Sequence, residues 1–167
     1  MPVTAWLLTL GLGLLSPPPA VSAVSEAELE AMVLLRMLPF FQWPQTEAVR
    51  RLCIFDDAAA RGPLERQAAA HATEIIVLPR HLAGLERCHA VFVDGGIPAR
   101  LPAVAAASNT QALLIVAKGP QSLERGAAVA LSLAGSRMVF DVRRSELQRR
   151  NLSASAQFLR LAREVLD

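Results

Sequence analysis

The side chains with most chemical potential are few. They are Cys53 and Cys88, the histidines His71, His81 and His89, and the charged residues Asp56, Asp57, Asp94 and Lys118, which fall at the ends of apolar runs. Two cysteines in an exported domain form a disulfide more readily than a metal pair or a nucleophile. Two free thiols in the core and a labile redox pair are the other readings. The acidic pair, the later Asp and the Lys would suit a phospho-acceptor site, with carboxylates on a divalent cation and Lys on a phosphoryl group. The spacing is wrong for it, because Lys118 lies one strand after Asp94 rather than two. The histidines are too scattered for metal-ligand spacing. Phosphate-loop, dinucleotide and GxSxG nucleophile patterns are absent from the sequence. No cofactor and no catalytic group is expected, and the chain does not read as an enzyme.

The elements that must position these residues alternate. A helix is expected over 25–42, with Glu26, Glu28 and Glu30 near its start and Leu29, Met32, Val33, Met37 and Phe40 at helical spacing. Strands follow at 51–55, 74–78, 89–93 and 112–117, with helices at 62–71, around 81–86, and at 97–107. Two β-capable runs, 126–133 and 138–142, flank a turn and predict a hairpin. A short helix at 145–150 and a last one at 155–166 complete the chain. Arg143, Arg144, Arg149 and Arg150 bracket the short helix as a solvated face. The last helix places Phe158, Leu159, Leu161, Ala162, Val165 and Leu166 on one face, read as docking to the core, with an exposed partner-binding face as the other reading. The fold class is α/β: a single three-layer domain, with a mostly parallel sheet flanked by helices and a C-terminal β-hairpin plus helix. In such a sheet the first and third strands are neighbours, which brings Cys53 and Cys88 to the same end of adjacent strands. Ligands in such sheets sit at strand C-termini, so Asp56, Asp94 and Lys118 are the ligand-binding candidates.

Composition narrows the class. The chain has 167 residues, 53% of them hydrophobic, and a net charge of +2 spread along its length, without the basic stripe a nucleic-acid protein needs. Tyr is absent and aromatics make up only 5%, too few for a base-stacking platform. The first 23 residues carry no Lys, Arg, Asp or Glu, and residues 5–15 form an apolar run too short to span a bilayer. Pro17-Pro18-Pro19 breaks any helix, and Val21-Ser22-Ala23 is a small-x-small cleavage pattern. Residues 1–23 are therefore read as a signal peptide cleaved after Ala23, with a retained apolar N-terminal tail as the other reading. Residues 24–167 are the mature domain, with no membrane insertion of its own.

Three segments, read in order, resemble the YfiR family of small periplasmic proteins: Met32–Pro44 (MVLLRMLPFFQWP), Arg51–Asp57 (RLCIFDD) and Cys88–Val93 (CHAVFV). The hairpin strand Met138–Val142 and the ending Asn151–Ser155 with Phe158–Ala162 extend the likeness over essentially the whole mature chain. The resemblance implies a non-catalytic periplasmic repressor. It would bind the periplasmic sensor region of an inner-membrane diguanylate cyclase, keeping cyclic-di-GMP and biofilm formation low. It also implies a homodimer, an outer-membrane partner that relieves repression, and Cys53 and Cys88 as the main disulfide. A second cysteine pair is lacking, and Asp141 and Arg143 replace the family's usual Glu and Asn. Because members also occur beside sensor kinases and outer-membrane receptors, a small-molecule binding module feeding such a system is the alternative. The apolar end of the first helix, Leu38, Phe40, Phe41 and Trp43, is the candidate partner surface, since Trp and Phe anchor interfaces. The competing reading is that these four residues pack the helix on the sheet.

Overall fold

The computed structural model describes residues 24–167. The signal peptide expected over residues 1–23, with its cleavage after Ala23, lies outside the described residues. A seven-stranded sheet forms the middle layer. It comprises β2 (Arg50–Phe55), β3 (Thr73–Leu78), β4 (Ala90–Val93), β5 (Leu114–Lys118), β6 (Val129–Ala134), β7 (Arg137–Arg143) and β9 (Glu164–Leu166). Their spatial order is β3-β2-β4-β5-β6-β7-β9. The first five run parallel, β6 and β7 form the antiparallel hairpin, and β9 runs parallel to β7. The strands β4 and β5 are buried on both faces, which is why they read as unbroken apolar runs.

Alternation along the strands divides the core in two. Leu52, Ile54, Ala90, Phe92, Leu114 and Val116 face α1 (Glu26–Met37) and α2 (Arg61–Gln67). Cys53, Phe55, Val91, Val93, Ile115 and Ala117 face α3 (Arg100–Ala107) and the 3-10 turn Leu85–Arg87. The helix α1 opens with a capping box. Ser25 Oγ accepts from the Glu28 N–H at 3.3 Å, and a Glu28 carboxylate oxygen accepts from the Ser25 N–H at 2.9 Å.

Three sequence expectations need correction. The first helix ends at Met37 rather than Gln42: Pro39 forces a 3-10 turn, and β1 (Phe41–Gln42) pairs antiparallel with β8 (Ser153–Ala154). The segment expected to be helical around His81–Glu86 is turns, with Leu82 and Gly84 both at positive φ, leading into the 3-10 turn. The last helix, α5 (Ala156–Leu161), ends five residues early, and the chain returns as the edge strand β9. The cause is Asp141, buried on β7. The Arg163 guanidinium pairs with it, while the Arg163 backbone N–H donates to Phe140 O at 2.8 Å and draws the chain into the sheet. Phe158 does dock into the core, but Leu161 is 64% exposed.

Candidate functional site

The cysteines are joined. Cys53 on β2 and Cys88, two residues before β4, form a disulfide with a Cα–Cα distance of 5.7 Å. Parallel pairing of Leu52 with Ala90 sets the two chains side by side at this end of the sheet. Both residues are buried, at 0% and 3% exposure. The Gln111 amide donates to Leu85 O at 3.1 Å and Cys88 O at 3.0 Å, pinning the loop over the sulfurs.

Beside the disulfide, His89 is buried among charges. The Arg51 backbone N–H donates to His89 Nδ1 at 2.9 Å, which puts the ring proton on Nε2, 3.3 Å from a Glu47 carboxylate oxygen. Burial first, and the Arg51 charge second, hold the imidazole below its ordinary pKa. Glu47 is held ionised chiefly by its hydrogen bond from Arg51. His71 is half-buried and His81 exposed, on separate segments.

At the opposite end, the strand C-termini, Asp56, Asp94 and Lys118 do not converge. Asp56 is exposed. Asp94 lies 3.7 Å from the Arg100 guanidinium. Arg100, at 5% exposure, also donates to both Asp57 oxygens at 2.8 Å and stacks over Phe55 at 4.2 Å. Its hydrogen bonds hold the Asp57 carboxyl below the ordinary carboxylate pKa. Strand order reverses between β2 and β4, so their C-terminal ends form the crevice where such sheets take ligands. Here Arg100 occupies it, bound to both flanking carboxylates. Lys118 is turned onto α1, where its ammonium contacts Glu26 and Glu30 at 2.8 Å each. Burial opposes its charge, and the bonds to both glutamates more than offset that, so its pKa is raised. A crevice of about 190 Å³ opens one strand along, lined by Gly95, Ile97, Ser122 and Lys118, so one of the three ligand candidates does line a strand-end cavity. Arg100 escapes sequence inspection because its partners lie 43 and 6 residues away in the chain. The only local signal is an Arg at a helix start after Asp94-Gly95-Gly96.

Of the four partner-surface candidates, Leu38, Phe41 and Trp43 are buried at 1%, 3% and 7% exposure. Trp43 Nε1 donates to His89 O at 3.0 Å, so this ring locks the loop before β2 onto the sheet. Phe40 alone keeps a partly open face. It stacks on Phe158 at 5.9 Å between ring centroids, and Phe158 stacks on Phe140 at 4.5 Å. These rings floor an apolar groove of about 150 Å³, walled by Met32 and Val33 of α1 and by Leu161. Leu161 was legible on an apolar helix face for which partner binding was the second reading, whereas the α1 wall was legible only as apolar residues at helical spacing.

A family model described as YfiR/HmsC-like matches residues 27–163 of this chain. The chain belongs to the YfiR/HmsC-like family. That family is one of periplasmic regulators, and no described helix is long and apolar enough to cross a membrane. Two solved structures share the fold. One is a conserved domain protein from Vibrio cholerae O1 biovar eltor, at TM-score 0.62 and 12% identity over 84% of this chain. The other is an ABC domain in complex with L-Trp from Streptococcus pneumoniae, at TM-score 0.57 and 10% identity over 84% of this chain. This chain spans 60% of the length of each. No curated protein matches it.

Proposed function

We propose that the mature YfiR/HmsC-like chain is a periplasmic repressor of a membrane-bound signalling enzyme, such as a diguanylate cyclase, acting through that enzyme's periplasmic sensor region. Family membership over residues 27–163 carries this reading. The disposition of side chains supports it. Most of the charged and sulfur groups singled out in the sequence are engaged in pairs: Asp57 and Asp94 with Arg100, Lys118 with two glutamates, and Cys53 with Cys88. The groove floored by Phe40, Phe140 and Phe158 is apolar and open, as a docking surface must be.

Repression follows from differential binding. A rigid body that binds one conformation of the sensor region more tightly shifts its population toward that state. Holding 99% of an otherwise balanced sensor inactive requires about a hundredfold preference, or about 2.7 kcal/mol. One or two well-buried apolar anchors in the groove supply that order of energy. The repressor acts as a homodimer in this reading, and an outer-membrane protein that competes for it would relieve repression.

The test is genetic and biochemical. Deleting the gene should raise cellular cyclic-di-GMP and surface attachment. Re-expressing the full chain should restore both, whereas a chain lacking residues 1–23, retained in the cytoplasm, should not. Unchanged cyclic-di-GMP in the deletion strain would remove the cyclase from the proposal.

A further inference from the structure

The second buried arginine of this domain is not paired as the first one is. Arg150 follows α4 (Arg144–Arg149) and is 3% exposed, contrary to its expected place on a solvated face. One of its terminal nitrogens donates to Ser108 O and to Ser108 Oγ, both at 2.9 Å, and thereby caps the end of α3. Both acceptors are neutral. The nearest carboxylate oxygen, Oε2 of Glu146, lies 3.9 Å from Arg150 Nε, and both atoms are buried with no hydrogen-bond partner. The other Glu146 oxygen is taken by Arg149. By contrast, Arg100 holds a bidentate carboxylate at 2.8 Å. A guanidinium taken out of water is costly unless an anion with good geometry meets it. Burial accordingly pushes the Arg150 pKa down.

A polar pocket of about 360 Å³ opens against this arginine. Three segments meet there: the last turn of α3, the 3-10 turn Pro120–Arg125, and α4. They contribute Arg125, Arg149 and Arg150 against only Glu124 and Glu146, an excess of one positive charge. Arg125 is exposed at the rim, and Asn109 adds a neutral donor there. Guanidinium groups converging from separate segments are the usual recognition element for phosphate and carboxylate groups.

We propose that this pocket binds a small oxyanion, the phosphate or carboxylate group of a soluble molecule, on Arg150 with Arg125 closing the rim. The site shares no residue with the apolar groove. It stands independently of the repressor reading, and would give the protein a small-molecule input separate from its partner surface.

The experiment is calorimetric titration of the mature, disulfide-intact domain with inorganic phosphate, and in parallel with succinate, in chloride buffer of matched ionic strength. Saturable one-to-one binding of either anion is expected. Arg125→Glu should weaken it at least tenfold while leaving the thermal midpoint in chloride unchanged. Arg150→Met should abolish it. If that buried substitution prevents folding, the Arg125→Glu comparison decides. Titrations of both anions that match the chloride control would overturn the proposal, as would binding unaltered in Arg125→Glu.

Discussion

Removing the disulfide with the double substitution Cys53→Ala, Cys88→Ala should destabilise the domain by about 4 kcal/mol. The bridged cysteines are 35 positions apart. Closing a loop of that length in the unfolded chain removes about 13 cal/mol/K of entropy, or roughly 3.8 kcal/mol at 25 °C. The two sulfurs are fully buried, so their loss also leaves a small void that adds to the cost. Against a total stability of about 5–15 kcal/mol, the change is large but leaves a foldable protein. The assay is equilibrium urea unfolding of the wild-type and double-variant mature domains, followed by tryptophan fluorescence and far-UV circular dichroism. With an m-value of about 2 kcal/mol per M, the midpoint should fall by about 2 M. The m-value itself should rise, because the uncrosslinked unfolded chain exposes more surface. A free-energy loss below about 1 kcal/mol would refute the reasoning, showing that native-state strain cancels the chain-entropy term. The same burial predicts that dithiothreitol reduces the native bridge only as fast as the sheet end opens. Reduction at the rate of an exposed disulfide would instead favour a redox switch.

Two further outcomes follow from the charged clusters. Asp57→Ala should cost about 2 kcal/mol in urea unfolding, since it leaves the buried Arg100 with only Asp94 at 3.7 Å; a loss under about 0.5 kcal/mol would mean water reaches that guanidinium. His89 has a folded pKa below its ordinary 6.5, so its contribution to stability is complete above about pH 6.5 and is lost as the pH falls toward and through the folded value. Protonation would place a second hydrogen on Nδ1, against the Arg51 N–H that now donates to it. His89→Gln should flatten the stability profile between pH 7 and 5, and an unchanged slope would assign that slope to other groups.

The parallel half of the sheet was legible for a simple reason. Strands buried on both faces must be apolar throughout, so HAVFV and ALLIVA announced themselves, and neighbouring first and third strands followed from the α/β pattern. That geometry brought Cys53 to Cys88. The C-terminal end was less legible. Ala162 to Leu166 continues an amphipathic helical pattern, and what overrides it is a tertiary pair, Arg163 with Asp141, across 22 residues. The same limit hid the strand-end chemistry. Asp56, Asp94 and Lys118 look equivalent along the chain, yet Lys118 lines the strand-end crevice with its ammonium paired to α1, Asp94 lies beside Arg100, and Asp56 faces solvent. Burial also reassigned the partner surface. Leu38, Phe41 and Trp43 are core, whereas the open apolar face combines Met32, Val33 and Phe40 with Leu161 from the far end of the chain.

The repressor reading is tested most directly by capture from membranes. The immobilised mature domain, with and without reductant, would be incubated with detergent-solubilised inner membrane of its own cell, beside a Leu161→Glu variant with the same thermal midpoint. The account predicts capture of a membrane-anchored diguanylate cyclase by the wild type in both conditions, since the buried bridge resists reduction. The groove variant should lose that capture. Capture of outer-membrane or soluble proteins alone, or equal capture of the cyclase by both forms, would contradict it.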